Sequence, residues 1–151
     1  MRGFSLLELL LVIGILAILG TVGAGFYGSF SSNVQLDATA RAIISDLKFA
    51  RAKAIAGENR YNWGLHFVNS TSSPYYQFFS TTALTYTTDA STTVISTTTL
   101  GSTIVFVTPP ISSSTDILFN AIRGTTTSST ITISRSSSTR SIYVSPSGMV
   151  N

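Results

Sequence analysis

Cysteine is absent from the 151 residues, which excludes disulfides, thiolate metal sites and a cysteine nucleophile and leaves the redox compartment unread. Histidine occurs once, as His66, so a histidine-rich zinc site is excluded too. Charged residues make up 10% of the chain, against about 25% in ordinary soluble domains. The net charge of +3 comes from six acids against nine bases. A shortage of acids, rather than a wealth of bases, is weak ground for a nucleic-acid partner. No Gly-x-Ser-x-Gly elbow accompanies His66, and Asp37, Asp46, Glu58, Asp89 and Asp116 lack the spacing of a calcium loop. The reading is a chain that is not an enzyme and needs no cofactor or metal.

What the chain has instead is one long apolar run. After Glu8 the next charged residue is Asp37, and Leu9 to Phe26 is almost wholly apolar. With Ser5 and Glu8 included, residues 4–26 reach the roughly 20 residues that a bilayer core requires. A secretory signal peptide, with Arg2 as its basic start and Val22-Gly23-Ala24 before the cut, and a plain membrane anchor both compete for this segment. Glu8 argues against both, because a carboxylate inside lipid costs several kcal/mol unless it is neutralised or paired. Nothing later in the run can pair with it, so an external cation, such as the α-amino group of a neighbouring chain, is the simpler account.

Residues 31–57 read as an amphipathic continuation of the same helix. Leu36, Ala40, Ile43, Leu47, Ala50 and Ala54 recur at spacings of three and four, with Asp37, Arg41, Ser45, Lys48 and Lys53 elsewhere around it. Gly57 suits the stop. Gly20, Gly23, Gly25 and Gly28 soften the middle, at about 1 kcal/mol each relative to alanine in water.

From 58 to 151 the chain turns to short β-like runs. Tyr61, Trp63, Leu65 and Phe67 alternate with polar or small partners, which predicts a half-buried strand with His66 on its opposite face as a solvated or hydrogen-bonded side chain. Tyr75–Phe79, Val94-Ile95, Thr103–Val107, Ile117–Phe119, Thr130–Ile133 and Ile142–Val144 follow, separated by serine, threonine, glycine and proline. An antiparallel meander or set of hairpins is expected. The threonine content of Ser80–Thr99 suggests a long mobile loop. Asn69-Ser70-Thr71 matches a glycosylation acceptor, a pattern that arises easily in such a chain. Arg123, Arg135 and Arg140 form a candidate DNA-binding strip, against which the reading of a solvated face is preferred.

Arg2-Gly3-Phe4-Ser5-Leu6-Leu7-Glu8-Leu9 ahead of the apolar run resembles the type III signal of type IV pilins and type II secretion pseudopilins. Leu47-Lys-Phe-Ala-Arg-Ala-Lys-Ala-Ile55 and the end Arg140 to Val150 are similar to the helix end and last hairpin of GspH/FimT-type minor pilins. The resemblance implies a leader at residues 1–3, removed by a prepilin peptidase between Gly3 and Phe4, N-methylation of Phe4, and Glu8 as the assembly carboxylate. It implies an α+β fold: a helix from about Ser5 to Ala56, membrane-spanning over 4–30, packed by 31–57 on an antiparallel sheet domain over 58–151. The implied partners are other pilin or pseudopilin subunits, an inner-membrane assembly platform and lipid before assembly. The implied place is the bacterial inner membrane with the C-terminal domain outside, then a filament. The implied function is that of a structural subunit, a minor pilin or pseudopilin, of a type IV pilus or a type II secretion pseudopilus, with a major pilin and a DNA-binding competence pilin as the alternatives.

Overall fold

The computed structural model describes residues 5–151, without the side chains of 22–27 and 29. It is α+β, with one α-helix, a single 3-10 turn and seven strands among the described residues. The described chain divides after Val34 into two units, and helix α1, Leu6–Ile55, contributes to both. It begins where the Ser5 carbonyl accepts the amides of Glu8 and Leu9, with Glu8 suitably acidic in its first turn. It ends at Gly57, whose φ of 64° provides the left-handed residue that releases the chain from the helix, followed by the turn Glu58–Arg60.

In the first unit the apolar side chains from Leu6 to Leu19 are exposed, from 87% at Leu6 to 62% at Leu19. No helix is long and apolar enough to cross a membrane among the described residues. The span expected over 4–30 is therefore not borne out among the described residues; Phe4 and the side chains of 22–27 and 29 lie outside them.

The second unit holds the core. Leu36, Ala40, Ile43, Leu47, Ala50 and Ala54, the whole stripe expected from spacing, are buried along α1. They meet two antiparallel sheets. Strands β1 (Asn62–Asn69), β2 (Tyr75–Thr81), β3 (Thr92–Thr99) and β5 (Ser113–Phe119) form one in the order β3-β2-β1-β5. Strands β4 (Val105–Thr108), β6 (Ser129–Arg135) and β7 (Ser138–Val144) form the other in the order β4-β6-β7. Trp63, Leu65, Phe67, Tyr76, Ile117 and Phe119 from the first and Phe106, Ile131, Ile133, Ile142 and Val144 from the second share one core with the helix. Gly64 is required where β1 meets β5, since a Cβ there would run into the Ile117 carbonyl.

Two departures from the sequence reading stand out. Ser80–Thr99 is not a loop: it completes β2, crosses the face of the first sheet as a strap over 82–91, and returns as β3. The strap is held by the Asp89 carboxylate, which accepts the Ser91 hydroxyl at 2.5 Å, the Thr87 hydroxyl at 2.8 Å and the Ser91 amide at 2.9 Å. Those bonds hold its carboxyl below the usual carboxylate range. The topology is also more than a meander, because β5 passes over β4 in sequence to pair with β1.

Candidate functional site

The first candidate is the start of α1. Glu8 lies in its opening turn and is exposed, ringed by the exposed Leu6, Leu7, Leu9, Leu10 and Leu11. The carboxylate is poorly suited to lipid, and the exposed leucines around it are poorly suited to open water. Gly3 and Phe4, the expected cleavage and N-methylation positions, lie outside the described residues.

The second candidate, the arginine strip, is spent on the helix. Arg140 Nε donates to Asp37 Oδ1 at 2.6 Å, and Arg135 donates to Gln35 Oε1. Both bonds tie the β6-β7 hairpin to α1. Arg123 is exposed in the turn after β5. Two of the three arginines thus make contacts within the domain while their side chains stay partly exposed.

His66 does sit opposite the core, as the alternation requires. The outer face of the first sheet is laid out in cross-strand rows: Tyr75, Val68 and Ser114, then Gln77, His66 and Asp116, then Phe79, Gly64 and Leu118. His66 Nδ1 bonds Asp116 Oδ1. Tyr86, from the strap, stacks on the imidazole with ring centroids 3.9 Å apart and planes at 6°. The same ring meets Phe79 edge-on at 4.9 Å and donates its hydroxyl to Gln77 Oε1 at 2.9 Å. Burial, with Tyr75 and Asp116 nearby, raises the Tyr86 phenol. The strap had been unread in the sequence because its one aromatic anchor lies within a threonine run that has no periodicity.

Asn69 is not an accessible acceptor for glycosylation. It is buried, and its amide nitrogen donates to the carbonyls of Phe106 at 2.9 Å and Pro109 at 2.8 Å, joining the end of β1 to the segment that carries β4. Among the described residues, no cluster of three or more histidine or acidic side chains suits a metal ion.

The helix-end motif gains a physical role. Arg51 lies against Gly124 and Gly148, both at positive φ (62° and 79°), and donates to the Ser147 carbonyl at 3.1 Å. A Cβ at Gly148 would approach Arg51 Nε to 2.8 Å. The Ile122 amide meanwhile donates to the Ala54 carbonyl at 2.7 Å. The last turn of α1, the turn after β5 and the C-terminal turn thus close on one arginine.

The family described as Type II transport protein GspH matches residues 39–148. No curated protein and no solved structure matches the chain. The match runs from the amphipathic part of α1, through both sheets, to the glycine that packs on Arg51, and the chain belongs to the GspH family of type II transport pseudopilins.

Proposed function

We propose that the chain is a structural subunit, of the minor pilin or pseudopilin kind, in a type II secretion pseudopilus, and that it assembles through the start of α1. The observation that carries this reading is the row of exposed leucine and isoleucine side chains from Leu6 to Leu19 with Glu8 among them, joined to a GspH-family β-domain. Before assembly the apolar segment associates with the inner-membrane lipid. Prepilin peptidase cuts between Gly3 and Phe4, and Phe4 is N-methylated. Glu8 then pairs with the Phe4 amine of a neighbouring subunit while the apolar side chains exchange lipid for protein, with the assembly platform driving growth. The pair gains from the low dielectric between packed helices.

Glu8→Gln tests this. Glutamine keeps the shape and costs less than a carboxylate in lipid, so membrane insertion and cleavage persist, with an intact mass that begins at N-methylated Phe4. Incorporation into sheared filament fractions falls sharply. Wild-type incorporation of the glutamine form would remove the reason for giving Glu8 a role. A DNA-binding subunit is the less supported reading, since Arg135 and Arg140 are engaged with α1.

A further inference from the structure

Two clefts open on the outer face of the first sheet, on either side of the His66–Asp116 pair. The larger, about 590 Å³, is lined by His66, Asn69, Tyr75 and the hydroxyls of Ser70, Thr71 and Ser114, among others. The smaller, about 280 Å³, lies between the strap and the end of β5, with Asp116, Asn120, Thr126, Leu84 and Leu118 in its walls. The two follow the outward side chains of β5 from Ser114 through Asp116 and Leu118 to Asn120. At about 3.3 Å per residue the path is roughly 20 Å long, enough for several units of an extended polymer.

The chemistry of this path is specific in what it leaves out. It contains no lysine, arginine or glutamate, and its one carboxylate is already bonded to an imidazole. Anionic ligands find no cation there, and cationic ligands find a single, partly satisfied acid. What it offers is hydroxyls that both donate and accept, an asparagine amide at Asn120, and the phenol ring of Tyr75, an apolar face with a polar tip. His66 Nδ1 is fixed by Asp116 and the ring is clamped by Tyr86, so the imidazole is held in one orientation before any ligand arrives. From these we infer that the outer face of the first sheet binds an uncharged saccharide chain, its hydroxyls bonded by Ser114 and Asn120 and one ring face laid on Tyr75. This goes beyond a role in filament assembly and does not depend on it.

The test is saturation-transfer NMR on the detergent-solubilised full chain, with maltotriose and chitotriose as neutral probes and sialyllactose and an uncharged serine-threonine heptapeptide as controls. A neutral trisaccharide gives transfer with a dissociation constant on the order of 1 mM, as expected for a shallow polar site. Tyr75→Ala, which removes the platform, and Ser114→Trp, which fills the path from an exposed position, each weaken it by roughly tenfold or more. Circular dichroism melting shows that both variants stay folded. Ser114→Ala is the milder companion if either large change unfolds the chain, and it weakens binding by a factor of about three to ten. Transfer to no neutral saccharide, transfer unaffected by all three substitutions, or stronger transfer to the heptapeptide than to any saccharide would each overturn the proposal.

Discussion

At the scale of single residues, the sharpest demands fall where the backbone has no room. Gly148 has a φ of 79° and Arg51 beside the place a Cβ would take, whereas Gly101 has nothing within 4 Å. Gly148→Ala therefore destabilises the domain by about 1–3 kcal/mol, from left-handed strain plus a clash of the new Cβ with the Gly124 carbonyl. Gly101→Ala is close to neutral, and urea midpoints of the two variants measure the contrast. Tyr76 carries a pH dependence. Burial first, and then the bond from its hydroxyl to Asp46 Oδ2 at 2.7 Å, raise its phenol well above the ordinary value of 10.0. A raised folded value means that the stabilisation is fully present below pH 10 and is lost as pH rises beyond it toward the folded value. Tyr76→Phe lowers stability at neutral pH by about 1 kcal/mol through loss of the bond and flattens the decline above pH 10, which denaturant titrations from pH 7 to 11 resolve.

Among the elements, Asn69 is the join between sheets, and replacing it isolates what that join contributes. Asn69→Ala leaves the buried Phe106 and Pro109 carbonyls without their donor and costs about 2–4 kcal/mol. Hydrogen exchange should show the β4 segment released before the β1–β2 ladder. The helix stripe, the strand positions other than β3 and the outward His66 were legible in the sequence, because most of them rest on a local period of 3.6 or 2. What was not legible is non-local. The partner of β1 on its far side lies 44 residues away at Asn69↔Ser113, and no pattern within either strand announces it. Arg140 reads as a surface base in isolation, and only the fold brings it to Asp37. The threonine run hid β3 because its exposed side chains lack alternation: seven of its eight residues are exposed. Glu8 stood out for the opposite reason, as a charge in a run otherwise without one.

For the molecule as a whole, stability draws on one length of chain and the proposed assembly on another. Every buried core side chain lies between Leu36 and Val150 among the described residues, within the unit that begins at Gln35. A fragment starting at Gln35 should therefore unfold cooperatively in urea, with a midpoint close to that of the detergent-solubilised full chain, and should remain monomeric by light scattering. A fragment that was unfolded would show that the first unit contributes to folding as well as to assembly.

The late arrival of β5 bears on how such a chain reaches its native state. The β1–β2, β2–β3 and β6–β7 pairings join neighbours in sequence, whereas β1–β5 must close a much longer stretch, and long closures are the slow ones. Until that closure, one edge of the central strand stands open beside a segment, from Ala90 to Thr115, that carries no charge at all. An open edge beside an uncharged, threonine-rich segment is a template for pairing between chains. Nascent copies are thus most exposed to misassociation before β5 docks, and spacing them apart during synthesis favours the native pairing over the intermolecular one.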